Sequence, residues 1–159
     1  MKYKWIEPLL VLAVFAIDRA AKSLALGRLL SKPVEVLSFF RLSYVENTGV
    51  AFGMFRGNNG FFIVFSLVLV AALLIFRRQL AGSSLAARAG IALVLGGALG
   101  NLYDRLAYGF VVDFFDFSFF PAVFNTADSA ITVGGALLAI WMPRGGEMSG
   151  EKGSEAAKI

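Results

Sequence analysis

Phe61-Phe62-Ile63-Val64-Phe65-Ser66-Leu67-Val68-Leu69-Val70-Ala71-Ala72-Leu73-Leu74-Ile75-Phe76 carries no charge and stops at Arg77-Arg78. A helix of about 20 such residues spans the hydrocarbon core of a bilayer, so this run reads as a membrane span. Working outward, three further stretches are apolar enough to do the same. The first covers residues 5–26 and is interrupted by Asp18, Arg19 and Lys22. Residues 85–102 contain Arg88 near their start and Gly96-Gly97-x-x-Gly100, small residues that let a neighbouring helix approach closely. Residues 127–141 are short, and either the preceding Phe-rich segment completes the depth or the bilayer thins locally. With 58% hydrophobic and 16% charged residues, the composition is that of an integral membrane protein rather than a soluble domain. The expected fold is mainly α: a four-transmembrane-helix bundle in one domain over residues 1–144, followed by a disordered cytoplasmic tail from Gly145 to residue 159.

Basic residues orient the bundle. Lys2 and Lys4 precede the first span, Arg77, Arg78 and Arg88 flank the second connection, and Arg144, Lys152 and Lys158 follow the fourth span. The positive-inside rule places these groups in the cytoplasm with both termini, so residues 27–60 and 103–126 face outward. Arg28, Lys32, Arg41 and Arg56 run against this assignment, and Glu35 and Glu46 offset only part of their charge. A cleaved signal peptide is the alternative reading of the N-terminus. In the first outward segment, the β-branched and aromatic run Val34–Val45, the turn signal Asn47-Thr48-Gly49 and the apolar run Val50–Phe55 predict a small β-hairpin or sheet over residues 33–55. Seven phenylalanines between Phe110 and Phe124 either anchor the second outward segment at the interface or line an apolar groove.

Zero cysteines and zero histidines exclude disulfides, thiol nucleophiles and the commonest general base and metal ligand. No phosphate-binding or metal motif is present, so no metal and no cofactor is expected. The formal net charge of +4 sits in loops and tails, as topology requires, and does not point to nucleic acid. What remains is carboxylate chemistry. Asp104, Asp113, Asp116 and Asp128 fall in the outward half of the last two spans. Asp104 adjoins Arg105, which suggests an ion pair or a helix-end role, and Asp116 reads as a solvated charge. Asp113 lies in Val111-Val112-Asp113-Phe114-Phe115 with no basic neighbour, the setting that raises a carboxylate pKa. Asp128 begins the fourth span, where a helix cap is the simpler reading. An Asp113/Asp128 dyad sharing one proton is the functional reading, since perturbed carboxylates in apolar surroundings point to function.

The chain resembles the lipoprotein signal peptidases (signal peptidase II). The resemblance rests on Asp18 to Lys22, Glu46-Asn47-Thr48-Gly49-Val50-Ala51-Phe52-Gly53, Gly97-Ala98-Leu99-Gly100-Asn101-Leu102-Tyr103-Asp104-Arg105, Gly109-Phe110-Val111-Val112-Asp113-Phe114 and Phe124-Asn125-Thr126-Ala127-Asp128-Ser129-Ala130. It implies a bacterial inner-membrane aspartic endopeptidase whose catalytic pair falls on Asp113 and Asp128. The supporting polar residues fall on Asp18, Lys22, Asn47, Asn101, Asp104, Arg105 and Asn125. The implied substrate is a prolipoprotein, cut just before a cysteine that carries a diacylglyceryl group; membrane lipids and a monomeric state complete the expected partners. One carboxylate activates water while the protonated one supports the oxyanion, as like charges in close contact require. An ion- or proton-coupled transporter is the rival, because intramembrane Asp, Lys and Arg also mark ion pathways. The absence of a paired inverted repeat speaks against it. A non-catalytic lipid-binding protein is the third reading.

Overall fold

The computed structural model describes residues 5–49, 57–82 and 84–141. Its elements, in chain order, are α1 (Ile6–Arg28), β1 (Val34–Leu37), β2 (Phe40–Asn47), α2 (Asn59–Ala81), α3 (Leu85–Ala107), β3 (Val111–Phe117) and α4 (Thr126–Trp141). The fold is mainly helical with one small antiparallel sheet. The expected tail and the expected run Val50–Phe55 lie outside the described residues.

α3 is the axis of the structure. It packs against α1, α2 and α4, and it is buried along most of its length. Ser84 starts it by accepting the Ala87 N–H at 3.1 Å, a side-chain cap. Apolar packing of Ile91 and Leu95 with Leu73 of α2 forms the core, to which Val11 of α1 and Leu138 of α4 add. Glycines set how closely the helices approach. A Cβ on Gly97 would sit 2.5 Å from the Ala127 carbonyl oxygen, and one on Gly134 2.6 Å from that of Gly90, so α3 and α4 meet backbone to backbone. On the other face, a Cβ on Gly96 would meet Val14 Cβ at 2.7 Å, and one on Gly100 would meet the Asp18 carboxylate at 2.5 Å. The Gly96-Gly97-x-x-Gly100 cluster thus serves two neighbours at once.

α2 and α3 are each long and apolar enough to cross a membrane. α4 is apolar but spans 16 residues, and α1 spans 23 residues while burying Asp18 and Lys22.

The sheet order is β1-β2-β3. The run 34–45 is not one strand: it breaks at Ser38-Phe39, and β1 folds back on β2 with Val34 opposite Leu42. The far edge of β2 pairs with β3, Phe40 opposite Phe117 and Asn47 opposite Val111. This partner comes from the Phe-rich segment, whose composition by itself points only to an interfacial anchor or a groove lining. Residues Val111 to Phe114 are all buried, so the alternation of a half-exposed strand is absent and the period-2 signal with it. Phe124 then bonds back to Phe115 through both backbone groups, N–H to O at 2.7 and 3.1 Å, which delivers the chain to the head of α4.

Candidate active site

Asp113 and Asp128 arrive at the same place from different elements. Asp113 is the third residue of β3, opposite Val45 of β2, and its side chain is 1% exposed. Its Oδ2 accepts from Asn47 Nδ2 at 2.8 Å and its Oδ1 from Asn125 Nδ2 at 2.6 Å. Asp128 lies in the first turn of α4. Its Oδ1 accepts from Asn101 Nδ2 at 2.7 Å and its Oδ2 from the Asn125 backbone N–H at 3.4 Å. Asn125 is the joint: its amide nitrogen holds Asp113, its backbone nitrogen faces Asp128, and its side-chain oxygen accepts the Asp128 N–H at 2.9 Å. Asp128 is therefore the third helical residue of a capping pair and not the cap itself, which is Asn125.

Burial, and after it the Asp128 charge, push the Asp113 carboxyl up to about 7, although hydrogen bonds from Asn47 and Asn125 and the Lys22 charge offset part of the rise. Two acidic groups sharing a dry site cannot both ionise readily, so near neutral pH the pair holds a proton.

Beneath the pair lies an ionic cluster. Lys22 Nζ is 3.0 Å from Asp18 Oδ2 and 2.8 Å from Asp104 Oδ2, and Arg19 bridges the same two carboxylates at 3.0 and 2.7 Å. Asp18 also accepts from Thr126 Oγ1 at 2.6 Å and from the Ala127 N–H at 3.0 Å, which ties α1 to the N-terminus of α4. Asp104 accepts the Val112 N–H at 3.1 Å and ties α3 to β3. Two cations and two anions cancel in this buried volume, the condition under which such charges are tolerated.

Two expectations change. Asp104 pairs with Lys22 and Arg19 of α1, not with Arg105, whose guanidinium is turned to other partners. Arg105 instead lies over the Phe62 ring, 5.1 Å from its centroid, and reaches the Gly49 carbonyl at 3.4 Å. Asp116 is not simply solvated: it accepts from Arg41 Nε at 2.6 Å and Ser43 Oγ at 2.8 Å. Partial burial raises its pKa, but these two donors outweigh that and hold it below the usual carboxylate range. The residues missed by sequence reasoning are Arg19 and Thr126. Arg19 had a signal, as a third charge within one turn of an apolar helix, while Thr126 had none beyond its place beside Asn125.

A cleft of about 660 Å³ opens onto Asp128 and onto Asn47, the residue that holds Asp113. Its polar end holds Asn47, Asn101, Arg105 and Asp128, and its apolar walls include Phe117, Phe119, Phe120, Phe124 and Val133. Among the described residues no three acidic side chains converge as metal ligands.

The family described as Signal peptidase (SPase) II matches residues 10–144 of the sequence. The chain belongs to the signal peptidase II family. A lipoprotein signal peptidase of Caldanaerobacter subterraneus subsp. tengcongensis is 46% identical over 136 residues, covering 84% of this chain and 92% of that protein. One from Alteromonas mediterranea is 35% identical over 166 residues, covering 99% of this chain and 89% of its own. Two solved structures of bacterial membrane enzymes, obtained in meso at 2.3 and 1.9 Å resolution, superpose with TM-scores of 0.80 and 0.78. They are 32% and 31% identical and cover 87% of this chain, with 87% and 92% of their own chains covered. As a signal peptidase II, the chain is an aspartic-type peptidase, and the polar constellation between β3 and α4 is the candidate for its catalytic centre.

Proposed function

We propose that this chain removes the signal peptide of prolipoproteins by cutting before a diacylglyceryl-modified cysteine, with Asp113 and Asp128 as the catalytic pair. The observation that carries the reading is the pair itself: two carboxylates from β3 and α4, coupled through Asn125, with Asp128 lining an apolar cleft and Asp113 held by Asn47 of its wall. The cleft chemistry matches such a substrate, whose lipid seeks the Phe-lined walls while its scissile amide meets the polar end.

In the monoanionic state one carboxylate takes a proton from water as it attacks the carbonyl carbon. The protonated partner donates a hydrogen bond to the developing oxyanion and later supplies a proton to the leaving amine. Water is the nucleophile, so no covalent intermediate forms. Asn47 and Asn125 hold Asp113, Asn101 holds Asp128, and Arg105, which lines the cleft, orients the substrate backbone. Asp18, Lys22 and Asp104 keep α1, α3, β3 and α4 in register beneath them.

The same reading sets the membrane arrangement. All four helices cross the bacterial inner membrane, both termini are cytoplasmic, and the sheet and catalytic pair lie at the outer surface in a monomer of one domain, residues 1–144. The charge cluster of α1 supports its membrane assignment, since the paired groups, all buried except the partly exposed Arg19, sum to no net charge. Cleavage of a purified diacylglyceryl-modified prolipoprotein by wild type, Asp113→Asn, Asp128→Asn and Asp116→Asn tests the reading. Loss in the first two variants only is expected; retained cleavage in either would remove the dyad.

A further inference from the structure

The two carboxylates of the pair are held differently, and the difference begins at Lys22. Lys22 is 1% exposed, and its three N–H donors are used on Asp18, Asp104 and Asn101, the last at 2.7 Å to Oδ1. An ammonium group has no acceptor, so the Asn101 amide must turn its oxygen toward Lys22. Its nitrogen is thereby aimed away, at Asp128 Oδ1, 2.7 Å distant. Asn125 Nδ2 donates to the same Asn101 oxygen at 3.3 Å and reinforces the orientation. A donor polarised by a cation at its carbonyl end is a stronger donor, because hydrogen bonds in a chain strengthen one another in a low-dielectric site. Asp128 also sits in the first turn of α4, where backbone N–H groups favour negative charge. Asp113 receives only two neutral amides and lies on a strand.

We propose that Lys22 is a positioning residue which, through Asn101, assigns the negative charge of the pair to Asp128 and leaves the shared proton on Asp113. The inference rests on the peptidase reading above and names which carboxylate does which part of the work. Asp128 lines the cleft, where it activates the water. Asp113, held up at about 7 by burial and by the Asp128 charge, donates to the oxyanion. Among the described residues, the charged groups that face the pair are Lys22 from α1, Arg105 from α3 and each carboxylate toward the other. Lys22 reaches Asp128 by one intervening amide, whereas Arg105 makes no hydrogen bond to either.

The test is the pH profile of kcat/KM for cleavage of a diacylglyceryl-modified prolipoprotein by wild type, Lys22→Gln, Lys22→Arg and Asn101→Ala in detergent. The acid limb marks formation of the monoanion. Without the cation it should move to higher pH by about one unit, a ten-fold loss on that limb. Lys22→Arg should restore part of the wild-type position. Asn101→Ala cuts the relay but leaves every ion pair of the cluster in place, so it carries the test if Lys22→Gln does not fold. A merely structural Lys22 would lower activity evenly at all pH values in Lys22→Gln, and an unmoved acid limb in Asn101→Ala would mean that the amide passes nothing to Asp128; either outcome would overturn the proposal. A wild type that cleaves nothing would sink the peptidase reading together with this one, whereas a cleaving wild type with unmoved limbs sinks only the role of Lys22.

Discussion

Asn125 and Asp128 close a reciprocal pair at the head of α4, the Asn125 side-chain oxygen accepting the Asp128 N–H at 2.9 Å and the Asp128 carboxylate facing the Asn125 N–H at 3.4 Å. The arrangement makes the helix start and the candidate catalytic carboxylate the same structural feature. A helix N-terminus cannot fray here without moving Asp128, so the cap rigidifies the group whose position the chemistry needs.

That double use separates two substitutions at Asp128. Asn keeps an acceptor for one of the two donors, while Ala keeps none. Asp128→Asn should abolish cleavage with little change in thermal unfolding. Asp128→Ala should abolish cleavage and also cost about 1 kcal/mol, the usual net value of a lost hydrogen bond, since the Asn125 cap itself stays. Cleavage assays paired with unfolding curves in detergent read both. Equal destabilisation by the two variants would show that the acceptor retained by Asn contributes nothing.

The raised Asp113 pKa predicts a pH dependence of stability as well as of rate. A carboxyl whose folded-state pKa is about 7 against an ordinary 3.8 binds more protons folded than unfolded between those values. Stability from this group is therefore greatest below about pH 4 and is lost as pH rises through 7. Asp113→Asn removes the ionisation, so it should raise the melting temperature at pH 8 relative to wild type and change it less at pH 5. Cleavage by wild type should fall about ten-fold per unit above pH 7, where Asp113 loses its proton. A stability difference independent of pH would show that Asp113 is ionised throughout.

Much of this was legible in the sequence, and the reasons are local. The uncharged run from Phe61 to Phe76 marks α2 because nothing but a buried or membrane-embedded helix accommodates it. Asp113 stood out because a carboxylate among Val and Phe is costly unless it has a purpose, and Asp128 because it opens an apolar span. Long-range pairing was not legible. Nothing in Val111–Phe117 announces Phe40–Asn47 as its partner, since strands buried on both faces lose their alternation. Likewise Asp104 was assigned to its neighbour Arg105 because sequence shows adjacency along the chain, whereas Lys22 and Arg19 meet it only once α1 packs on α3.

The two kinds of ion pair should differ sharply in what they contribute. Arg41 is mostly exposed, so Arg41→Ala should change stability by no more than about 1 kcal/mol, less in high salt. Asp104→Ala leaves Lys22 and Arg19 to share Asp18 and strips the Val112 N–H of its acceptor. A cost of about 3 to 5 kcal/mol is expected, insensitive to salt. Chemical unfolding at two ionic strengths distinguishes them, and a small cost at Asp104 would mean that water enters the cluster.

Glycine positions give the last contrast, because the close approach of α3 and α4 is what brings Asn101 within reach of Asp128. A methyl group at Gly97 would lie 2.5 Å from the Ala127 carbonyl oxygen, which is backbone and cannot swing aside, so α4 itself must move. At Gly135, one residue beyond Gly134, a Cβ meets nothing within 4 Å. Gly135→Ala should fold and cleave as wild type does. Gly97→Ala should lose cleavage at least ten-fold while the helices still form, since a displacement of under 1 Å at Asp128 is enough to misplace a catalytic group. Circular dichroism checks the helices and the prolipoprotein assay checks the activity. Full activity in Gly97→Ala would mean that α4 can slide along α3 without disturbing the Asn101 to Asp128 hydrogen bond, and the rigid geometry argued for the pair would have to be abandoned.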